Sequence, residues 1–185
     1  MENRKSQIID LTLKIIREKG YLSFSYDDIS KQLGITKASI HYHFVKKEDL
    51  GSAICERIKE GLEKSFLEVS RTSIKIEDKP LEFILRRAGS IGRDEVCPLT
   101  SLQADFNFLP VPMQKSVQQL SQMEIDFLVK LVEEMKSNGM LQSAQDPQAL
   151  AILIISSTKG ALQYRRALGN DAFSLVFDQL KHLLK

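Results

Sequence analysis

The sequence lacks the features of a membrane protein, a secreted protein or a disulfide-bonded protein. Among its 185 residues, the longest apolar runs, such as residues 149–155, fall far short of the roughly 20 residues that a membrane-spanning helix needs. The N-terminus is charged and then amphipathic, without the apolar segment of a secretion signal. The two cysteines, Cys55 and Cys97, do not form a disulfide framework in a chain of this size. We therefore expect a cytoplasmic protein that does not associate with membranes.

The sequence also lacks motifs for catalysis and for metal binding. It contains no glycine-rich phosphate loop, no nucleophile elbow and no pattern of paired carboxylates. Its histidines do not form a metal site, because His41 and His43 are two positions apart on a predicted helix and point about 200° away from each other. The third histidine, His182, is distant in the sequence. We predict that the chain is not an enzyme and that it holds no metal ion or cofactor.

The charge is small overall but unevenly distributed. The formal net charge is +2. Residues 1–50 contain nine lysines or arginines and seven acidic residues, whereas the remaining 135 residues contain 17 of each kind. The excess positive charge therefore lies in the first quarter of the chain, which favours an anionic partner for that end.

The hydrophobic pattern predicts helices throughout the chain. Apolar residues recur every three or four positions, and glycine and proline divide the segments. Neither the alternation of a β-strand nor an internal repeat is present in the sequence. We predict an all-α fold of about nine helices, with an N-terminal domain over residues 1–50 and a C-terminal domain over residues 51–185. A fourth helix from about residue 47 to 70 would be roughly 35 Å long and would connect the two domains.

Residues 25–50 contain the most informative pattern. Ser25 and Thr36 are suited to cap two short helices, and Gly34 lies where the turn between them needs a positive φ angle. The apolar residues of this segment fall on one face of the two helices: Ile29, Leu33, Ile35, Ile40 and Phe44. This pattern is typical of a helix-turn-helix, whose second helix enters the major groove of DNA.

The side chains opposite this apolar face are suited to contact DNA. Steps of about 100° per residue place Ala38 and Tyr42 opposite the core, with Ser39 and His41 beside them. Small side chains at positions 38 and 39 allow close approach to base edges, whereas the tyrosine and the histidines offer polar groups to phosphates and sugars. Lys47, at the start of the next helix, adds a cation and a helix N-terminus that favour phosphate.

The same segment resembles the DNA-binding domain of TetR-type transcriptional regulators. The positions that match the family pattern are Ser25, Ile29, Gly34, Ile35, Thr36, Ile40, Phe44 and the run Lys47-Glu48-Asp49-Leu50. Three positions depart from it, because His41 replaces the usual tyrosine, Ala38 a frequent glycine and Lys46 the usual capping serine. The motif covers about residues 4–50, and the predicted layout of nine helices agrees with the family over the whole chain.

The resemblance implies a transcriptional regulator that binds a palindromic operator in double-stranded DNA as a homodimer and responds to a small-molecule inducer. The residues expected to contact DNA are Ser25, Thr36, Lys37, Ala38, Ser39, His41, Tyr42, His43 and Lys47. Repression is the expected effect, and activation on the same fold is one alternative. The other alternative is a helical ligand-binding or interaction protein that no longer binds DNA, against which Lys37, Lys46 and Lys47 argue.

Cys97 is a second position of interest. Because Pro98 is suited to the first position of a helix, Cys97 is the predicted N-cap of the sixth helix, where the helix dipole and nearby Arg93 would favour a reactive thiolate. Residues 97–105 also resemble the Cys-Leu-x-x-x-Leu-x-Ala-acid segment of one TetR branch, some of whose members respond to electrophiles or oxidants at this cysteine. The alternative is a small packing residue at a helix junction.

The resemblance further implies a ligand pocket among the fourth to eighth helices and a dimer interface at the C-terminus. The residues expected to line the pocket are Phe66, Phe83, Arg87, Cys97, Gln103, Phe106, Met123 and Phe127. Aromatic residues and methionines at this spacing also fit an ordinary core. The last two predicted helices are apolar on more than one face, and in TetR relatives these helices form a four-helix interface between two subunits. The alternative is that they are central to the core of a monomer.

Overall fold

Nine α-helices account for most of the protein in a computed structural model, which describes residues 3–142 and 144–184. In chain order they are α1 (Arg4–Lys19), α2 (Tyr26–Leu33), α3 (Lys37–His43), α4 (Lys47–Arg71), α5 (Lys79–Ala88), α6 (Pro98–Ala104), α7 (Val111–Ser137), α8 (Pro147–Leu168) and α9 (Ala172–Leu183). No strand occurs in this described part of the chain, so the predicted all-α fold is confirmed. Nor does any helix within it have the length and apolar character needed to cross a membrane.

The described residues form two compact units. The first comprises the residues up to 60 together with 98–120, and the second comprises 61–97 together with the residues from 121 onward. The segment predicted to bind DNA, residues 1–50, falls within the first unit, to which α6 also belongs. The boundary after residue 50 stays a prediction.

Isoleucines of the short helices form part of the core of the first unit. Ile29 of α2 and Ile40 of α3 are fully buried, and Phe44, which follows α3, is 3% exposed. Leu33 and Ile35, on either side of the turn, are half-buried. The face that the sequence pattern gives to the core is therefore the face that the structure turns inward, which leaves the opposite face of α3 to solvent.

Hydrogen bonds join α6 to the end of α1. The Ser101 hydroxyl donates to the carbonyl oxygen of Ile16 at 2.9 Å. The Asp105 carboxylate accepts the backbone N–H groups of Tyr21 at 2.9 Å and Leu22 at 3.4 Å. Backbone N–H groups beyond a helix end have no partner within the helix, so a charged acceptor stabilises the turn that follows α1.

The second unit is built on apolar packing among its helices. Phe83 of α5 is fully buried. The ring of Phe127 in α7 stacks on Phe66 of α4 with centroids 4.3 Å apart and meets Phe83 edge-on at 6.5 Å. Aromatic pairs in these arrangements stabilise a core beyond the area they bury. Farther along the chain, α8 packs against α9.

Candidate nucleic-acid interface

The start of α2 is fixed by a reciprocal cap. The Ser25 hydroxyl accepts the backbone N–H of Asp28 at 3.3 Å, and the Asp28 carboxylate accepts the backbone N–H of Ser25 at 2.8 Å. The Ser25 hydroxyl also donates to this carboxylate at 2.9 Å. The backbone and hydroxyl bonds that Ser25 donates, together with the Lys19 ammonium at 3.2 Å, hold the pKa of Asp28 below its usual value. Each end of such a cap satisfies a donor that the helix itself leaves unpaired, so the entry into α2 is well defined.

The turn between α2 and α3 uses the predicted glycine. Gly34 has φ +62° in the left-handed region, where a side chain would be strained. The Ser30 hydroxyl donates to the carbonyl oxygen of Ile35 at 2.6 Å, which closes the turn. Thr36 then caps α3, because its hydroxyl accepts the backbone N–H of Ser39 at 3.2 Å. Both ends of the turn are therefore fixed by side chains on the helices that it joins.

The outer face of α3 is open to solvent. Tyr42 is 84% exposed, and Lys37, Ala38 and His41 are also exposed. Ser39 is half-buried at the side of this face. The first turn of α3 thus presents small side chains at positions 38 and 39, and its last turn presents an aromatic side chain. This arrangement suits a helix that approaches base edges with its N-terminal end.

His41, which replaces the family's usual tyrosine, is held by two contacts. Its ring lies edge-on to the ring of Tyr26 with centroids 4.8 Å apart, and its Nδ1 is 3.2 Å from the carbonyl oxygen of Val45. Since that oxygen only accepts, Nδ1 carries the proton, and in the neutral ring Nε2 is left as an acceptor. Tyr26 donates its hydroxyl to the carbonyl oxygen of Phe44 at 3.0 Å, and burial raises the pKa of this tyrosine.

Two lysines in or next to α3, Lys37 and Lys46, differ in whether their side chains form an ion pair within the described part of the chain. The Lys37 ammonium pairs with Asp27 at 2.7 Å, although both side chains are about half exposed. The side chain of Lys46 is exposed, while its backbone N–H donates to the Asp49 carboxylate at 2.8 Å. This bond is one half of a capping box, and a lysine has no side-chain acceptor to supply the half that the usual serine provides. Lys46 was absent from the predicted DNA contacts, and its exposure beside α3 is visible only in the structure.

The Lys47 ammonium points into the first unit. It donates to the carbonyl oxygen of Phe24 at 2.9 Å and lies over the rings of Phe24 and Tyr21, 4.3 and 4.8 Å from their centroids. Burial lowers its pKa. This lysine therefore ties the start of α4 to the segment between α1 and α2. The predicted phosphate contact at Lys47 stays a prediction, and in this arrangement the N-terminus of α4 is the part best able to make it.

A cavity in the second unit contains two of the predicted ligand-binding residues, Arg87 and Cys97. The side chains around it come from α5, α7, α8, α9 and the segment before α6: Ile84, Arg87, Ala88, Ile91, Cys97, Glu124, Ile155, Thr158, Lys159, Leu162 and Phe173. The backbone at the lining residue Ile91 is anchored, since Arg165 of α8 donates to the carbonyl oxygens of Ile91 and Gly92 at 3.2 and 2.7 Å.

The other predicted ligand-binding residues lie elsewhere. Phe66, Phe83 and Phe127 form the aromatic cluster of the second unit and do not line this cavity. Met123 is half-buried on α7, next to the lining residue Glu124. Gln103 is exposed on α6, and Phe106 is half-buried in the short 3₁₀ turn after it, both within the first unit. Their roles in ligand binding stay predictions.

The two cysteines have different surroundings. Cys55 is 4% exposed in α4, and burial raises the pKa of its thiol to about 11. Cys97 is half-buried and free, and it comes directly before Pro98, the first residue of α6. Of the two thiols, Cys97 is therefore the one that a reagent in the cavity can reach.

Comparison with known proteins identifies the N-terminal segment. Residues 8–54 match the family described as bacterial regulatory proteins of the tetR family. The chain is 46% identical over 46 residues to IcaR of Staphylococcus epidermidis, a negative transcriptional regulator of the biofilm operon icaADBC. That match covers 25% of this chain and 25% of the relative, so the chain is aligned with only a quarter of the length of IcaR.

Two solved structures share the fold over nearly the whole chain. A TetR transcriptional regulator from Legionella pneumophila is 28% identical, with a TM-score of 0.85, and the match covers 100% of this chain and 96% of that one. A TetR family regulator from Agrobacterium tumefaciens is 25% identical, with a TM-score of 0.89, and the match covers 97% and 96% of the two chains. Together with the match of residues 8–54, these likenesses support a TetR family transcriptional regulator.

Proposed function

We propose that the protein is a homodimeric transcriptional repressor of the bacterial cytoplasm, which binds an inverted-repeat operator and releases it on binding a small molecule. The observation that carries this proposal is the exposed outer face of α3. That helix is capped by Thr36 and anchored by Ile40, and it presents Ala38 and Tyr42 to solvent. A short helix oriented in this way is what a major groove accepts.

We favour repression over activation because the relative from Staphylococcus epidermidis is described as a negative transcriptional regulator. The likeness to that relative lies in the DNA-binding segment. The remaining alternative, a helical protein that has lost DNA binding, is disfavoured by the exposed Lys46 and by the intact turn at Gly34.

The regulatory step that we propose links the cavity to α1 through α6. Cys97 lines the cavity, and the next residue begins α6, whose Ser101 binds the carbonyl oxygen of Ile16. A ligand in the cavity, or a modification of Cys97, would bias α4 and α6 and so alter the spacing of the two recognition helices in a dimer. A coupling of about 1–3 kcal/mol would weaken operator binding by roughly 5–150-fold.

The dimer that we propose forms along α8 and α9. A groove between these helices is lined by apolar and small side chains, among them Leu153, Gly160, Val176 and Leu183. Leu153 and Leu183 are 50% and 54% exposed in the single chain. Contiguous exposed apolar surface on a helix pair is typical of an interface between subunits, and two-fold symmetry places two recognition helices on one palindrome.

Operator binding is tested by fluorescence anisotropy on the DNA directly upstream of the protein's own gene, with random DNA for comparison. We expect a preference of about 10³-fold or more, and affinity that falls steeply with salt. Lys46→Gln should lower the slope of log affinity against log salt by about one, because it removes one phosphate contact. The control Lys64→Gln removes an exposed cation of α4 in the second unit and should leave the slope unchanged. Equal affinity for both DNAs, or no binding at low salt, would contradict the proposal.

The dimer is tested at Gly160. A Cβ placed there meets no atom within 4 Å, so Gly160→Glu leaves the single chain undisturbed but puts a carboxylate into the groove. Light scattering should give the unsubstituted protein twice the 21.0 kDa chain mass at micromolar concentration, and Gly160→Glu the mass of one chain. Ser70→Glu, which adds the same carboxylate to an exposed position of α4, should stay dimeric. A monomeric unsubstituted protein would rule out this interface.

The role of Cys97 is tested with a thiol-alkylating reagent. N-ethylmaleimide should weaken operator binding of the unsubstituted protein, because it adds bulk inside the cavity that Cys97 lines. Cys97→Ser should bind the operator normally and resist the reagent. Cys55→Ser should stay sensitive, because it keeps Cys97 and because the buried Cys55 thiol is not the group that the reagent reaches. Equal loss of binding in Cys97→Ser and in the unsubstituted protein would exclude Cys97 as the trigger.

A further inference from the structure

We propose that His41 binds a phosphate of the DNA backbone in its protonated form, so that operator affinity rises as the pH falls. This inference rests on the proposed function and deepens it, because it names a condition that regulates the proposed DNA contact. Three features of the structure support it: the fixed orientation of the His41 ring, the nitrogen that this orientation leaves without a partner, and the pairing of the charged groups around the ring.

The His41 ring is held in one orientation by two neighbouring groups. Its Nδ1 lies 3.2 Å from the carbonyl oxygen of Val45, and the ring meets the ring of Tyr26 edge-on with centroids 4.8 Å apart. Tyr26 is itself fixed, because its hydroxyl donates to the carbonyl oxygen of Phe44 at 3.0 Å. Two successive carbonyl oxygens after α3 therefore accept hydrogen bonds from these two side chains, which fixes the histidine ring against α2.

This orientation decides which nitrogen of His41 is left for DNA. A carbonyl oxygen only accepts, so Nδ1 carries a proton in both the neutral and the charged ring. Nε2 has no hydrogen-bond partner among the described residues, and His41 is exposed. In the neutral ring Nε2 presents a lone pair, and in the imidazolium it presents an N–H. Protonation therefore changes this nitrogen from an acceptor to a donor without any movement of the ring.

A DNA phosphate distinguishes the two states of the ring, because its oxygens accept hydrogen bonds and carry negative charge. The lone pair of the neutral ring forms no bond with these oxygens, whereas the imidazolium donates a charge-assisted bond. The hydroxyl of a tyrosine, the usual residue of the family at position 41, donates at any pH below about 10. The histidine thus makes the contact depend on pH between about 5 and 8, where this residue type changes its charge.

The charged groups around the ring leave the imidazolium without a counter-ion in the described part of the chain. The titratable groups of the elements next to it are Tyr26, Asp27 and Asp28 on α2, Lys37, Tyr42 and His43 on α3, Lys46 after α3, and Lys47, Glu48 and Asp49 on α4. Asp27 pairs with Lys37 at 2.7 Å, and Asp28 pairs with Lys19 at 3.2 Å. Asp49 accepts the backbone N–H of Lys46, and Glu48 is exposed. A bound phosphate would therefore supply the counter-ion.

The pH dependence is measured by fluorescence anisotropy on the full chain between about pH 5.5 and pH 8, with a salt series at each pH. Operator binding should be about tenfold or more tighter at the lower pH, because each subunit gains a charge-assisted bond. The slope of log affinity against log salt should be steeper there by about one for each subunit, since the imidazolium releases a further counterion. Affinity for random DNA should rise by a similar factor, because a phosphate contact does not depend on sequence.

Substitutions assign the effect to one histidine. His41→Gln should bind the operator with little dependence on pH, because an amide does not titrate in this range. His41→Tyr should restore tight binding at the higher pH, since its hydroxyl donates in both conditions. The control His182→Gln removes an exposed histidine of α9 and should keep the full pH dependence. Dependence on pH that persists in His41→Gln, or that is lost only in His43→Gln, would overturn the proposal.

Failure of this inference is distinguishable from failure of the proposed function. Specific operator binding whose affinity and salt slope do not change with pH overturns the role of His41 and leaves the repressor. Absence of binding to any DNA across the whole pH range contradicts both. Binding that strengthens at low pH through His41 but never prefers the operator to random DNA supports the phosphate contact and contradicts the repressor.

Discussion

The structure depends on how a helix of only seven residues is held in one orientation. A helix as short as α3 is unstable alone, because too few hydrogen bonds offset the cost of nucleation. Burial of Ile40 and Phe44 against the first unit supplies the missing stability. The Thr36 cap and the left-handed turn at Gly34 fix the direction in which the helix starts. Once the inner face is fixed, the outer face is fixed as well, and with it the set of residues that we propose to contact DNA.

Local sequence patterns predicted the helix ends and the turn of this segment well because these features are determined locally. Caps, a turn glycine and apolar spacing all act within a few residues, so Ser25, Gly34 and Thr36 occupy the roles expected of them. The same patterns gave the number of helices and the start of α6 at Pro98. Local patterns did not predict the contact of Lys47. Its ammonium donates to the carbonyl oxygen of Phe24 and lies over the Phe24 ring, and the sequence alone does not place Phe24 beside it.

The cavity was less predictable because it depends on which helices meet. Helical periodicity shows that Phe66, Phe83 and Phe127 face inward, but not that their rings pack on each other in one cluster. Arg87 was recognised as a polar group of the pocket, whereas Lys159 and Glu124 were not, because they are paired across two helices far apart in sequence. The bonds of Ser101 and Asp105 to the end of α1 were missed for the same reason.

One lining residue of the cavity comes directly before α6 in the chain. One peptide bond separates Cys97, in the cavity wall, from α6, and α6 binds the end of α1 through Ser101. The regulation that we propose uses this covalent link between a lining residue of the cavity and α6.

The central claim, that two copies of α3 read one symmetric operator, is tested most directly by a hydroxyl-radical footprint of the protein on the DNA upstream of its gene. The account predicts two protected windows related by two-fold symmetry, with centres about one helical turn, roughly 34–36 Å, apart or a multiple of it. Gly160→Glu should lose both windows together. A single asymmetric window, or protection that does not depend on sequence, would contradict the account.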